Sequence, residues 1–141
     1  MNSALPIALC LVFIVLAAWH FYWALGGNAL KGAAVPEISG KAAFSPRPLA
    51  TTGVGVALIA CAVLIAAASG LLGSSLPHQL LSWLCYALSL ILLVRAIGDF
   101  RLVGFFKTVR NSRFARLDSA VYSPLSLALS LGVFAVGVSA Q

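Results

Sequence analysis

Residues 48–94 read PLATTGVGVALIACAVLIAAASGLLGSSLPHQLLSWLCYALSLILLV, a run without a single Asp, Glu, Lys or Arg. A hydrocarbon core about 30 Å thick is crossed by roughly 20 apolar residues at about 1.5 Å of rise each. The run is therefore too long for one span and long enough for two. It divides at Gly70-Leu71-Leu72-Gly73-Ser74-Ser75-Leu76-Pro77, where glycine ends one helix and Ser75 with Pro77 opens the next. A tight hairpin between two membrane helices is the reading on which the rest depends.

Working outward, all twelve charged residues fall in two windows that flank this run. The first holds Lys31, Glu37, Lys41 and Arg47, and the second runs from Arg95 through Asp99, Arg101, Lys107, Arg110, Arg113 and Arg116 to Asp118. Beyond them lie two more uncharged stretches, residues 1–30 and 119–141, each with room for one span. The expected fold is an all-α integral membrane four-helix bundle. It forms a single domain over residues 1–141, with spans near 5–26, 49–71, 77–99 and 119–140. Composition agrees: 62% hydrophobic residues, 9% charged and a mean hydropathy of +1.05 exclude both an ordinary soluble globule and a disordered chain.

Four spans put both charged loops on one side. All nine Lys and Arg lie there, and none lies at the hairpin or either terminus. The positive-inside rule places the loops in the cytoplasm and both termini outside. That bias accounts for the net charge of +6, so no nucleic-acid partner is expected. Membrane lipids with anionic headgroups are the expected partners at the cytoplasmic face, and a protein partner or homo-oligomer remains open. Leu5 to Ala18 reads as a retained helix: no Lys or Arg precedes it, and aromatics stand where a cleavage site would need small residues. Cys10, Cys61 and Cys85 are single, show no metal-ligand spacing and read as small apolar residues.

Five glycines and prolines punctuate residues 31–48, which argues against a regular helix there. In the second loop, Leu102, Phe105, Phe106 and Val109 fall at i, i+3, i+4 and i+7, with Arg101, Lys107 and Arg110 on other faces. That spacing predicts an amphipathic helix, either prolonging helix three or lying flat at the interface. Helix four opens either at Ser123-Pro124 or at Asp118, the latter leaving Pro124 to distort its first turns. Small residues mark the packing seams: Gly53, Ala57 and Ala60 on helix two, and Ser126, Ser130, Ala128 and Gly132 on helix four.

Polar and aromatic residues gather at the cytoplasmic end: His20, Tyr22 and Trp23 late in helix one, Arg95 and Asp99 late in helix three, Lys107 in the loop, and Asp118 and Tyr122 early in helix four. These eight are the candidate ligand-binding residues. Arg95 and Asp99 stand at i, i+4 and are expected to neutralise one another. His20 and His78 lie at opposite ends of the bundle and cannot share a haem. Phosphate loops, zinc patterns, nucleophile elbows and twin-cysteine motifs are missing, so neither a metal nor a cofactor is expected.

Several stretches carry a resemblance. They are His20-Phe21-Tyr22-Trp23-Ala24-Leu25-Gly26-Gly27, Val35-Pro36-Glu37, Phe44 to Thr51, Arg95-Ala96-Ile97-Gly98-Asp99-Phe100 through Gly104-Phe105-Phe106-Lys107, Phe114-Ala115-Arg116-Leu117-Asp118 and Tyr122-Ser123-Pro124-Leu125. Together the chain resembles a family of small four-helix bacterial membrane proteins known only as a domain of unknown function. The resemblance implies the bacterial inner membrane and a four-helix fold, and carries no activity, substrate or cofactor. The residues themselves favour a non-enzymatic accessory or lipid- or small-ligand-binding bundle with a polar cytoplasmic pocket. In it Arg95 and Lys107 would hold an anionic group, and His20 or Tyr22 would orient it. The alternative is a small membrane enzyme using His20 with Asp99 or Asp118 as acid and base. A transporter is disfavoured, because residues 1–30 contain no carboxylate.

Overall fold

The computed structural model describes residues 3–140. Its elements, in chain order, are α1 (Ala4–Ala24), α2 (Lys31–Ala34), β1 (Glu37–Ile38), β2 (Lys41–Ala42), α3 (Pro48–Ala68), α4 (His78–Ile97), α5 (Arg113–Leu117) and α6 (Ser123–Ser139). A π-helical turn, Asp118–Tyr122, joins α5 to α6 without a break, so the fourth long helix runs over residues 113–139. It starts earlier than either proposed opening. Ser112 is the true N-cap, its hydroxyl accepting the Ala115 N–H at 3.0 Å.

The four long helices, each long and apolar enough to cross a bilayer, form an all-α four-helix bundle. α1 packs chiefly on α3 and α4 chiefly on α6, with thinner contacts between the two pairs. Leu9 and Phe13 of α1, Ala62 and Ile65 of α3, Leu81 and Cys85 of α4, and Leu129, Val133 and Val136 of α6 make the core. Large aliphatic side chains such as Leu11, Val15, Val56, Ile91 and Leu131 point outward and are more than half exposed. Water would penalise such a surface, and lipid would not.

The small-residue seam on α3 is not where the spacing put it. Gly53, Ala57 and Ala60 face outward, while Gly55, Ala62, Ile65 and Ala68 face the bundle, Gly55 lying against the Phe21 ring. On α6 Ser130 is buried, and it trades hydrogen bonds with Ser89 of α4. Ser89 Oγ donates to the Ser130 carbonyl at 2.9 Å, and Ser130 Oγ to the Ser89 carbonyl at 2.8 Å. Gly132 receives Leu9 of α1.

Both charged loops sit at the same end. The first, expected to lack regular structure, contains the single turn α2 and a two-residue hairpin, β1 pairing antiparallel with β2. Ser39 (φ 52°) and Gly40 (φ 77°) turn it with positive φ at both positions, the backbone that closes tight hairpins. The amphipathic helix expected over residues 102–109 is not formed. Instead the Phe105 N–H returns to the Ala96 carbonyl, 2.9 Å, and the Val109 N–H to the Arg101 carbonyl, 3.0 Å. Gly98 (φ 91°) and Gly104 (φ 89°) permit this reversal by pressing backbone on backbone. A Cβ on Gly98 would overlap the Val103 carbonyl, and one on Gly104 the Ile97 carbonyl. Faces are exchanged as a result: Phe105 and Phe106 are exposed, and Lys107 is almost fully buried.

Candidate functional site

The eight residues singled out by the sequence do not form one pocket. The structure places Arg95, Lys107 and Asp118 in a closed ionic cluster, His20 and Trp23 in an open cleft, and Tyr22, Asp99 and Tyr122 in neither.

The cluster is centred on Asp118, which is fully buried at the head of the π-helical turn. Arg95 Nη2 reaches its Oδ1 at 2.7 Å; Lys107 Nζ (2.9 Å), the Gly104 N–H (2.8 Å) and Ser123 Oγ (3.2 Å) all donate to Oδ2. Lys107 spends its other two donors on the Gly104 carbonyl, 3.0 Å, and Ser119 Oγ, 2.6 Å. Pro124 accounts for the wide turn. It has no N–H to offer the Ala120 carbonyl and its ring would strike that group, so the helix opens there. The wider turn sets Ser123 beneath Asp118, where its N–H bonds the Asp118 carbonyl and its hydroxyl the carboxylate. Nearly every donor and acceptor in this cluster is consumed internally. Arg95 Nη1 is an exception, buried without an acceptor among the described residues.

Asp99 is not Arg95's partner. The chain leaves helical geometry at Gly98, so Asp99 no longer shares a face with Arg95. Its Oδ1 accepts the N–H groups of Arg101, Leu102 and Val103 at 2.9, 2.7 and 3.0 Å. These bonds, that from Val103 foremost, hold the exposed carboxyl below the usual carboxylate range. Tyr22 likewise serves the chain: its hydroxyl accepts the Ala29 N–H at 3.5 Å, and its ring covers Gly27 so closely that no Cβ fits there. The Tyr122 hydroxyl donates to the Ala33 carbonyl at 3.1 Å, tying the first loop to the helix that carries Asp118.

His20 and Trp23 belong to the cleft, a cavity of about 450 Å³ between the end of α1, the first loop and the first turns of α3. Lys31, Val35, Phe44 and Arg47 line its loop side, and Ala50, Thr51 and Val54 its helix side. His20 Nδ1 lies 2.7 Å from the Leu16 carbonyl. A carbonyl only accepts, so Nδ1 carries the proton and Nε2 is left as the uncommitted nitrogen. The His20 and Trp23 rings meet edge to face at 5.3 Å, and Trp23 Nε1 donates to the Ala29 carbonyl at 2.8 Å. No side chain caps the N-terminus of α3 beside Arg47. Both ion pairs among the described residues end on Asp118, which leaves Lys31 and Arg47 without a carboxylate.

Lys31, Phe44 and Arg47 were not among the eight. The signal was present in a cation at each end of a proline-rich loop, the second just ahead of Pro48 and a helix start. The positive-inside rule takes from those cations only an orientation. Among the described residues no three His, Cys, Asp or Glu converge as metal ligands would.

Four bilayer-length apolar helices with their charges confined to one end define a small multi-pass membrane protein. Residues 13–133 match the family described as "Protein of unknown function (DUF3995)", and the chain belongs to that family. No curated protein and no solved structure matches it.

Proposed function

We propose that the protein is a non-enzymatic bundle of the bacterial inner membrane that binds a lipid or small amphiphile in the cleft at its cytoplasmic end. The observation that carries this reading is the pair Lys31 and Arg47, two cations without a carboxylate partner, lining a cavity that is otherwise mostly apolar. Its volume of about 450 Å³ falls within the range of small-molecule sites. The confinement of all nine Lys and Arg to the loop end supports a cytoplasmic location for the cleft. In this reading Arg95, Lys107 and Asp118 act as the scaffold that fixes the loop end. The acid–base alternative has less support, because the Asp99 and Asp118 carboxylates are occupied by donors other than His20.

Native mass spectrometry of the protein extracted with its own lipids tests the proposal. A defined adduct is expected on the wild type and is expected to be lost in Lys31→Gln/Arg47→Gln. An adduct that survives that double variant, or none on either protein, overturns it.

A further inference from the structure

We infer that the occupant of the cleft is a lipid whose head is a phosphate monoester, held between Lys31 and Arg47 with an acyl chain against Phe44, Ala50 and Val54. This rests on the reading of the cleft as a binding site and names the chemistry it selects. The lining contains two cations and no Asp or Glu. The positive end of α3, uncapped by any side chain, lies beside Arg47. A phosphate monoester answers this field with about −1.5 to −2 charges at neutral pH and three acceptor oxygens. A carboxylate or phosphodiester brings a single charge. The Arg47 guanidinium can grip two phosphate oxygens at once while Lys31 acts as a point charge. His20 shares the cleft, and with Nδ1 committed to the Leu16 carbonyl its neutral ring offers only an acceptor, so the charge of the head is met by Lys31 and Arg47.

The apolar part of the lining argues for a lipid over free phosphate. Val35 and Phe44 come from the loop, and Ala50 and Val54 from the opening turns of a membrane-spanning helix. Burying that surface rewards a hydrocarbon chain and does nothing for an inorganic ion.

The test uses delipidated full-length protein titrated in detergent with phosphatidic acid, phosphatidylglycerol, oleate and inorganic phosphate, bound species being counted by native mass spectrometry. Phosphatidic acid is expected to bind at least about tenfold more tightly than phosphatidylglycerol or oleate. Lys31→Gln/Arg47→Gln should weaken it by about tenfold or more, the scale of losing charge-assisted hydrogen bonds. Ala50→Phe, which fills the cleft without changing charge, should weaken it too. Lys41→Gln/Arg101→Gln, which removes two cations of the same end that do not line the cleft, should leave it unchanged. Equal binding of phosphatidylglycerol or oleate overturns the headgroup assignment and leaves the amphiphile reading standing. Inorganic phosphate that displaces the lipid at equal concentration overturns the lipid source, and equal losses in the Lys41/Arg101 variant reduce the effect to diffuse surface charge. Binding of none of the four overturns both this inference and the reading beneath it.

Discussion

Asp118 accepts from Arg95, Lys107, Gly104 and Ser123 while itself fully buried. A carboxylate so placed stands between two cations, and its charge matters more than its shape. Asp118→Asn keeps the shape and leaves Lys107, 1% exposed, without a counter-charge. The expected cost is about 3–5 kcal/mol, as for a buried pair deprived of one partner. Lys107→Met should cost less, because Arg95 still neutralises Asp118. Unfolding midpoints in one detergent check the order of the two variants, and the reverse order would refute the central role of the carboxylate. Asp99 behaves differently with pH. Hydrogen bonds from Val103, Leu102 and Arg101 lower its folded pKa, so the stabilisation is complete above the unfolded value of about 3.9. It is lost as pH falls through the lower folded value. Amide exchange at residues 101–103 should therefore stay slow down to pH 4 and quicken below it. Asp99→Asn should flatten that dependence, and an unchanged profile in the variant would assign it to another group.

At the scale of elements, the long helices were legible in the sequence because hydropathy and charge-free length suffice to mark a span. The second loop was not. Leu102, Phe105, Phe106 and Val109 have impeccable helical spacing, yet spacing is blind to the Asp99 carboxylate capturing three successive N–H groups and to Lys107 being drawn inward by Asp118, eleven residues on. The Arg95–Asp99 pair failed for a related reason: the i, i+4 rule holds only while the chain is helical, and Gly98 ends the helix one residue too soon. Ser89 and Ser130 give an element-scale prediction, since they exchange hydrogen bonds across α4 and α6. Hydrogen bonds between membrane helices contribute modestly, about 0.6 kcal/mol on average and up to about 1.7. Each bond runs from a side chain to the opposite backbone, so Ser89→Ala and Ser130→Ala should each lower the unfolding free energy in detergent by an amount in that range. No loss in either variant would mean that the helices hold together by packing alone.

At the scale of the whole molecule, the sequence led to the bundle and to the end of it where polar chemistry gathers. The division of that end into a locked cluster and an open cleft was hidden, because it depends on which loop residue meets which helix. Nothing local in Tyr122 announces that its hydroxyl will reach the Ala33 carbonyl, and nothing in Lys31 and Arg47 announces a shared cavity. The pairing of helices also bears on biogenesis. α1 has its principal partner in α3, the next span to be synthesised, and α4 has its own in α6. A ribosome therefore delivers a self-contained helical hairpin before the second half exists, and then delivers another. The contacts that join the halves at the loop end come from the last stretch of chain, α5 meeting α2 and the Tyr122 hydroxyl meeting the Ala33 carbonyl. The order of translation makes them a late latch, closed only when Tyr122 emerges.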